Sequence, residues 1–388
     1  MKLTQEILGT CRVELRASER PSFTEYHLTA TIEGPAPFGS AADELFARVA
    51  ALLVEHRIQP IQEKLYGCTA VRDNVLARRD AVWRLRGLDR TMPVTWLQGT
   101  PLAGCDFAGL QLWGVAPVDG EPCVETVQNA VTGRGRLWRG PGFQMLHLPA
   151  VRGTTPAGGL AAGHQAQARQ TFTNIGLGLA AHGFSYPQVV RTWIYVARLL
   201  EWYGDLNRVR TAHYRSVGLG VPGGPAFPAS TGIQCRSDDE ECLIDVLALA
   251  SDGPAAVAGP VRCSPRQDQS FNYGSAFSRG MIFDLEGRKT VHISGTASIN
   301  TAGASTHLGD AESQSLETLM SIAAILEQQG GSLANITSAT LFCKDQAAYE
   351  AWNRVTRLLR LPAIPKVCVL ADVCRHDLLV EMEAVAVI

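Results

Sequence analysis

The chain has 388 residues, a formal net charge of -2, 46% hydrophobic residues and 19% charged residues. That length favours two or three structural units over one, and the apolar content excludes global disorder. The balanced charge gives no reason to expect nucleic acid or an anionic membrane as partner, and no apolar run approaches the roughly 20 residues of a membrane helix.

In chain order, the first third reads as leading strands within 12–32, a helix over 42–56, a strand over 60–67, a second helix over 73–85, and closing strands at 94–98 and 107–116. A stretch rich in Pro, Gly and polar residues, 117–132, reads as a linker. The middle repeats the order: a leading strand at 142–148, a helix over 165–183 stopped by Gly183, a strand over 188–196, a helix over 200–215, and closing strands at 230–235 and 242–250. A second linker spans 251–268. The last third repeats it again, with leading strands in 274–294, an amphipathic helix over 314–331 ending at Gly330-Gly331, a strand over 336–343, a helix over 346–359, and closing strands at 366–373 and 378–388.

Each unit therefore reads as ββ-α-β-α-ββ, a layer of helices on one mixed sheet. The closing strands correspond, "LIDVLALA" (243–250) against "LVEMEAVA" (379–386). The expected fold is α+β, three related units at 1–125, 126–262 and 263–388 packed as a single-chain pseudo-trimer, with ligand clefts between neighbouring units. A monomer is then sufficient. Residues 1–12 include Lys2, Glu6 and Arg12 and carry no signal pattern, so a cytoplasmic location is expected. The ten cysteines are scattered with no C-x-x-C pair, which argues for free thiols over disulfides or structural zinc.

Diverged copies should differ where the chemistry lies. The last strand carries Glu381 and Glu383 on one face, where the letter-by-letter match in the second unit has Asp245 and Leu247, and the first unit has Gln111 and Trp113. A carboxylate in an apolar setting holds its proton near neutral pH, which suits a general acid. Lys366 opens the preceding strand. In the second unit Asn207 and Arg210 share a helical face with Tyr203 nearby, and residues 228–232, including Thr231 and Gly232, offer hydroxyl and backbone donors.

These residues carry a resemblance. "FNYGSAF" (271–277), "HISGTASI" (292–299), "TLFCKD" (340–345), "AWNRV" (351–355) and "LLVEMEAVAV" (378–387) resemble the RidA (YjgF) family. That resemblance implies clefts where a cationic residue binds a carboxylate beside a glutamate of the last strand. Lys366 and Glu381 fall at those positions, with lysine in place of the usual arginine. "VVRTWIYV", "WYGDLNRVR" and "FPASTGIQ", followed by "YGSAFSRG", "SGTASI" and "ADVCRHDLLVEME", resemble the chorismatase family more narrowly.

The chorismatase resemblance implies a single-chain RidA-like pseudo-trimer that cleaves chorismate to pyruvate and a six-membered carboxylic acid, with no metal or organic cofactor. Gly280 and Cys374 resemble the type that forms 3-hydroxybenzoate. The alternatives are a hydrolase giving a dihydroxycyclohexadiene carboxylate, a mixed 3-/4-hydroxybenzoate former, a RidA-type imine deaminase, and a non-catalytic carboxylate-binding protein. On this reading Glu381 is the acid and Cys374 a base, a nucleophile or a pocket-shaping residue whose thiol is acidified by adjacent Arg375. Arg210, Arg279 and Lys366 meet the substrate carboxylates, and Tyr203, Asn207, Thr231, Gly232, Tyr273, Gly280 and Arg375 complete the site.

Overall fold

A computed structural model describes residues 2–34, 37–235, 240–251, 253 and 256–388. The first sheet and its helices run β1 (Lys2–Leu8), β2 (Cys11–Glu19), β3 (Phe23–Ile32), α1 (Phe38–Glu55), β4 (Gln59–Gly67), α2 (Arg72–Leu85), β5 (Thr95–Gln98), β6 (Thr100–Pro101) and β7 (Phe107–Pro117). The second runs β8 (Val124–Asn129), β9 (Gly133–Gly140), β10 (Phe143–Arg152), α3 (His164–Ala181), β11 (Val189–Val196), α4 (Leu199–Ser216), β12 (Ala229–Gln234) and β13 (Cys242–Ser251). The third runs β14 (Ala256–Val261), β15 (Gly280–Leu285), β16 (Arg288–Ala297), α5 (Ala311–Glu327), β17 (Ile336–Cys343), α6 (Gln346–Leu358), β18 (Lys366–Leu370) and β19 (Val380–Val387).

The three sheets share one strand order: β1-β2-β3-β7-β4-β5, β8-β9-β10-β13-β11-β12 and β14-β15-β16-β19-β17-β18. In each, the strand between the two helices pairs parallel with the next strand and antiparallel with the last. The expected α+β architecture of three like units is thus present. The third sheet has a seventh strand, because β6 of the first unit pairs with β18 at Val369↔Pro101 and Leu370↔Thr100.

Both stretches expected as linkers contain strands, β8 and β14. They are edge strands, where a one-sided hydrogen-bond partner tolerates Gly259 and Pro260 and weakens the apolar alternation. β14 precedes residue 263, the expected start of the third unit, yet it hydrogen-bonds along β15. Residues 252, 254 and 255 of that stretch lie outside the described residues.

Each sheet buries one face under its own helix pair, giving three separate cores. The other faces meet in a fourth core that draws on all three units, including Tyr66, Trp113, Tyr195, Leu247 and Phe342. All ten cysteines are free thiols. Among the described residues no helix is long and apolar enough to cross a membrane.

Strand pairing fixes which positions correspond. Short turns precede β11 and β17, and both are closed by a serine amide donating to a side chain three residues on, Ser185 to Gln188 at 2.8 Å and Ser332 to Asn335 at 2.9 Å. Counting from these turns, Trp193 corresponds to Thr340. Trp193 pairs with Asp245 and Thr340 with Glu383. Asp245 is therefore the counterpart of Glu383, not of Glu381 as the letter-by-letter match suggests. The hydrogen bonds agree: Thr95 of the first unit donates to Asp245 of the second at 2.8 Å, and Thr231 of the second donates to Glu383 of the third at 2.5 Å.

Candidate active site

The last strand places both glutamates by alternation. Val380, Met382, Ala384 and Ala386 face the helices of the third unit, so Glu381 and Glu383 face the centre of the molecule, 4% and 6% exposed. Glu381 opens into a cavity of about 510 Å³ between the second and third units. The second unit supplies Tyr203 and Arg210 from α4 and Gly232 from β12. The third supplies Tyr273, Arg279, Cys374 and Arg375. Eight of the twelve residues expected at the site therefore share one cavity with Glu381 among them.

Among the described residues, no hydrogen bond reaches the Glu381 carboxyl. Burial pushes it up, the charge of Glu383 adds to this, and Arg191 opposes; the outcome is about 8. Glu381 thus carries a proton at neutral pH. Its carboxyl lies against the backbone of Gly295, where a Cβ would overlap Oε1. Gly295→Ala is expected to displace the carboxyl and to lower turnover at least tenfold with little change in melting temperature. Activity assay and thermal unfolding of the variant check this.

Arg210 and Arg279 are each 2% exposed. Arg210 donates to Asn207 Oδ1 at 2.5 Å, and its Nε has no partner among the described residues. Arg279 donates twice to the Asp268 carbonyl, at 3.0 and 2.8 Å, and to the Tyr273 hydroxyl. Phe277 lies between them, its ring centroid 5.9 Å from one guanidinium carbon and 5.5 Å from the other. Neither guanidinium has a carboxylate partner among the described residues. A buried cation without an anion is costly in the empty protein, so these two are poised for an anionic ligand. Arg375, half-buried, donates to Ser305 Oγ at 3.2 Å and adds a third positive charge.

The thiol of Cys374 is not acidified. Burial pushes it up to about 12, the nearby Glu381 adds to this, and Arg375 offsets only part. Its neighbour Tyr203 is also pushed up to about 12, by burial first, so both remain protonated. Arg375, adjacent in the chain, only partly offsets burial, so the thiol is raised where its neighbour led to an expected lowering.

Four expected residues lie off the cavity wall. Lys366 starts β18, where Val367 and Val369 face the central core and Lys366 faces the other side. It lines a surface hollow with Trp352, Arg357 and Arg360 instead. Strand parity excludes it from the Glu381 cavity. Gly280 stands behind the wall, where a Cβ would meet the His292 carbonyl at 3.1 Å and then Val261. Asn207 holds Arg210 from behind. Thr231 points to the centre, donating to Glu383 and accepting from Arg191 at 2.7 Å.

Ser230, from the 228–232 stretch expected to offer donors, lines the cavity, and so do Ser275, Phe277 and Gly295, which were not singled out from the sequence. Phe277 and Gly295 both sit inside stretches that carry the family resemblance, which was the available signal. Also unforeseen is a second cavity, about 480 Å³, at the centre of the three sheets, lined by Lys64, Arg191, Trp193, His292 and Glu383 among others. Lys64 is pushed down to about 8 by burial, with Glu383 opposing, and lies 3.9 Å from the Trp193 ring centroid.

Residues 275–388 match the family described as Endoribonuclease L-PSP. Over 97 residues the chain is 33% identical to the 3-aminoacrylate deaminase RutC of Acinetobacter baylyi, covering 77% of that protein and 25% of this one. The chain belongs to the Endoribonuclease L-PSP family. Its L-PSP unit holds β15 to β19 and Glu381, while the cavity needs α4 and β12 from the preceding unit. A solved structure covers more of this L-PSP chain: a chorismatase crystal structure superposes on 84% of it and 92% of its own length, with a TM-score of 0.59 and 20% identity. The two share a fold.

Proposed function

We propose that the chain is a chorismatase that releases pyruvate and 3-hydroxybenzoate from chorismate. One observation carries this reading: a proton-bearing carboxyl, Glu381, shares a cavity with two buried guanidinium groups that have no carboxylate partner among the described residues. Chorismate has two carboxylates and an enol ether. The arginines meet the carboxylates with charge-assisted hydrogen bonds, and the carboxylic acid meets the enol ether. The chorismatase fold supports the assignment.

Glu381 delivers its proton to the methylene carbon of the enolpyruvyl group, which becomes a methyl group. The ether bond to the ring then breaks with its electron pair passing to oxygen, so pyruvate leaves as the ketone. The neighbouring ring hydroxyl displaces it: its oxygen bonds to the carbon the ether leaves while its proton passes to the Glu381 carboxylate. The ring epoxide so formed opens at the carbon that first bore the hydroxyl, and the hydrogen of the carbon that keeps the oxygen passes to that oxygen, giving aromatic 3-hydroxybenzoate. Atoms balance without water, and the acid is restored. Phe277, Ala297 and Ile299 line the cavity with apolar surface that disfavours water attack. Cys374, as a neutral thiol, shapes the wall beside Tyr203. Hydrolysis in the same cavity gives a dihydroxycyclohexadiene carboxylate instead.

The test is direct. Purified protein is incubated with chorismate, pyruvate is followed with a coupled reductase, and the ring product is identified by chromatography. Pyruvate with 3-hydroxybenzoate is expected. Absence of pyruvate overturns the reading, and a dihydrodiol overturns only the product. A second expectation concerns pH: the acid must be protonated, so kcat/KM falls as pH rises through about 8. A rate that climbs through that range contradicts Glu381 as acid.

A further inference from the structure

Glu383 lies two residues beyond Glu381 and faces the same way, yet its surroundings are opposite. Arg191 Nη2 donates to one oxygen at 2.8 Å and Thr231 Oγ1 to the same oxygen at 2.5 Å. Thr340 Oγ1 reaches the other at 3.2 Å, and Lys64 Nζ lies 3.8 Å away. Glu381 receives no donor among the described residues. Same-face neighbours on a strand are about 7 Å apart, and in buried surroundings one carboxylate opposes the ionisation of the other. The donors decide which one is ionised.

We propose that Glu383, held as an anion by Arg191 of the second unit and Lys64 of the first, is a positioning residue that keeps the proton on Glu381. The inference rests on Glu381 being the acid of the reaction. It also assigns a role to the first unit, which among the described residues contributes no side chain to the wall of the Glu381 cavity. The second unit's counterpart, Asp245, is bound by Thr95 and the Ala150 amide, at 2.8 and 2.7 Å, but its strand has Leu243 where β19 has Glu381. The donor-bound member persists in that copy without an acid to serve.

The other titratable groups around the pair do not compete for the role. Tyr66 and Tyr195 are pushed well above the ordinary phenol range by burial and are neutral. His292 is pushed well below the ordinary range by burial first and Arg191 second, and His27 is lowered by burial. Cys374 and Tyr203 beside Glu381 are neutral, and Arg191 acts on both carboxyls. Because Lys64 titrates close to Glu381, the cluster releases protons as a coupled set.

The test reads the proton on Glu381 directly. Protein labelled with carboxyl-¹³C glutamate is titrated by NMR, with the Glu381 signal assigned by its loss in Glu381→Gln. Relative to the unaltered chain, Glu383→Gln is expected to lower the Glu381 midpoint by about one pH unit or more, the size of a close like-charge effect. Glu383→Leu removes the same charge and is expected to lower it likewise. The alkaline limb of kcat/KM should move in the same direction. A Glu381 midpoint unchanged in folded Glu383→Gln overturns the proposal; if that variant does not fold, an unmoved midpoint in Glu383→Leu does so. Should the midpoints move while no variant and no parent protein forms pyruvate, the coupling stands and the chorismatase reading falls.

Discussion

Glu381→Gln lowers pyruvate release from chorismate by roughly 10²–10⁴-fold, the range that a positioned general acid contributes. Glutamine keeps the shape of the side chain and removes the transferable proton. No hydrogen bond anchors the carboxyl among the described residues, so no partner is orphaned and the fold is retained. A sign follows for stability. The folded chain holds the Glu381 proton up to about 8 against an ordinary value of 4.5. The stabilisation from this group is complete below the ordinary value and is lost as pH rises through about 8. Glu381→Gln does not suffer that loss, so its melting temperature relative to the parent should rise between pH 6 and 9, approximate limits chosen to bracket the shift. Thermal unfolding at both ends and a pyruvate assay check the two halves. Undiminished turnover places the acid elsewhere.

Arg210→Met and Arg279→Met each lower kcat/KM for chorismate by about 10–150-fold, corresponding to a charged hydrogen bond of roughly 1.5–3 kcal/mol. Arg210→Met should not destabilise the empty protein as loss of an ordinary buried arginine would; Arg279→Met also gives up its donations to the Asp268 carbonyl and the Tyr273 hydroxyl, so Arg210 gives the cleaner reading. Both guanidiniums are buried without a carboxylate, and exchanging such a charge for an apolar side chain of similar length removes a desolvation cost. Loss of activity with an unchanged or higher melting temperature is the signature of residues kept for a ligand. Arg210→Lys retains the charge but not the planar fork held by Asn207, and should recover only part of the loss. A fall in stability with unaltered kcat/KM would mark these arginines as structural. Melting curves with and without substrate and steady-state kinetics give both readings.

The repeat was legible because the order of helices and strands recurs and each helix announces its own period. Correspondence between copies was less so. Sliding "LIDVLALA" by two residues against "LVEMEAVA" leaves every polar position on the same face, since a strand repeats every two residues. Letters alone therefore could not separate Asp245 opposite Glu381 from Asp245 opposite Glu383; the pairing partners Trp193 and Thr340 do. Lys366 failed by the complementary error of one residue, which reverses the face. Arg210 was legible because a charged group is unusual on a helix face where core is expected, and Arg279 and Tyr273 because they sit in stretches that carry the family resemblance. Gly295 was not, because what matters there is a missing side chain. The Lys64–Arg191–Glu383 cluster joins three units far apart in the chain, and no local pattern reports such a meeting.

The two-residue strand β6 has a practical consequence for cutting the chain. Thr100 and Pro101 belong to the first third of the polypeptide but close the outer edge of β18 in the last third. Arg16 reaches across the same seam to the Ala363 carbonyl at 3.2 Å. A nick in the stretch between β7 and β8 should leave two pieces that remain associated and co-purify. A fragment beginning after that stretch, made by itself, would display an unpaired β18 edge and the apolar face beneath it, and would be inclined to join other copies edge to edge.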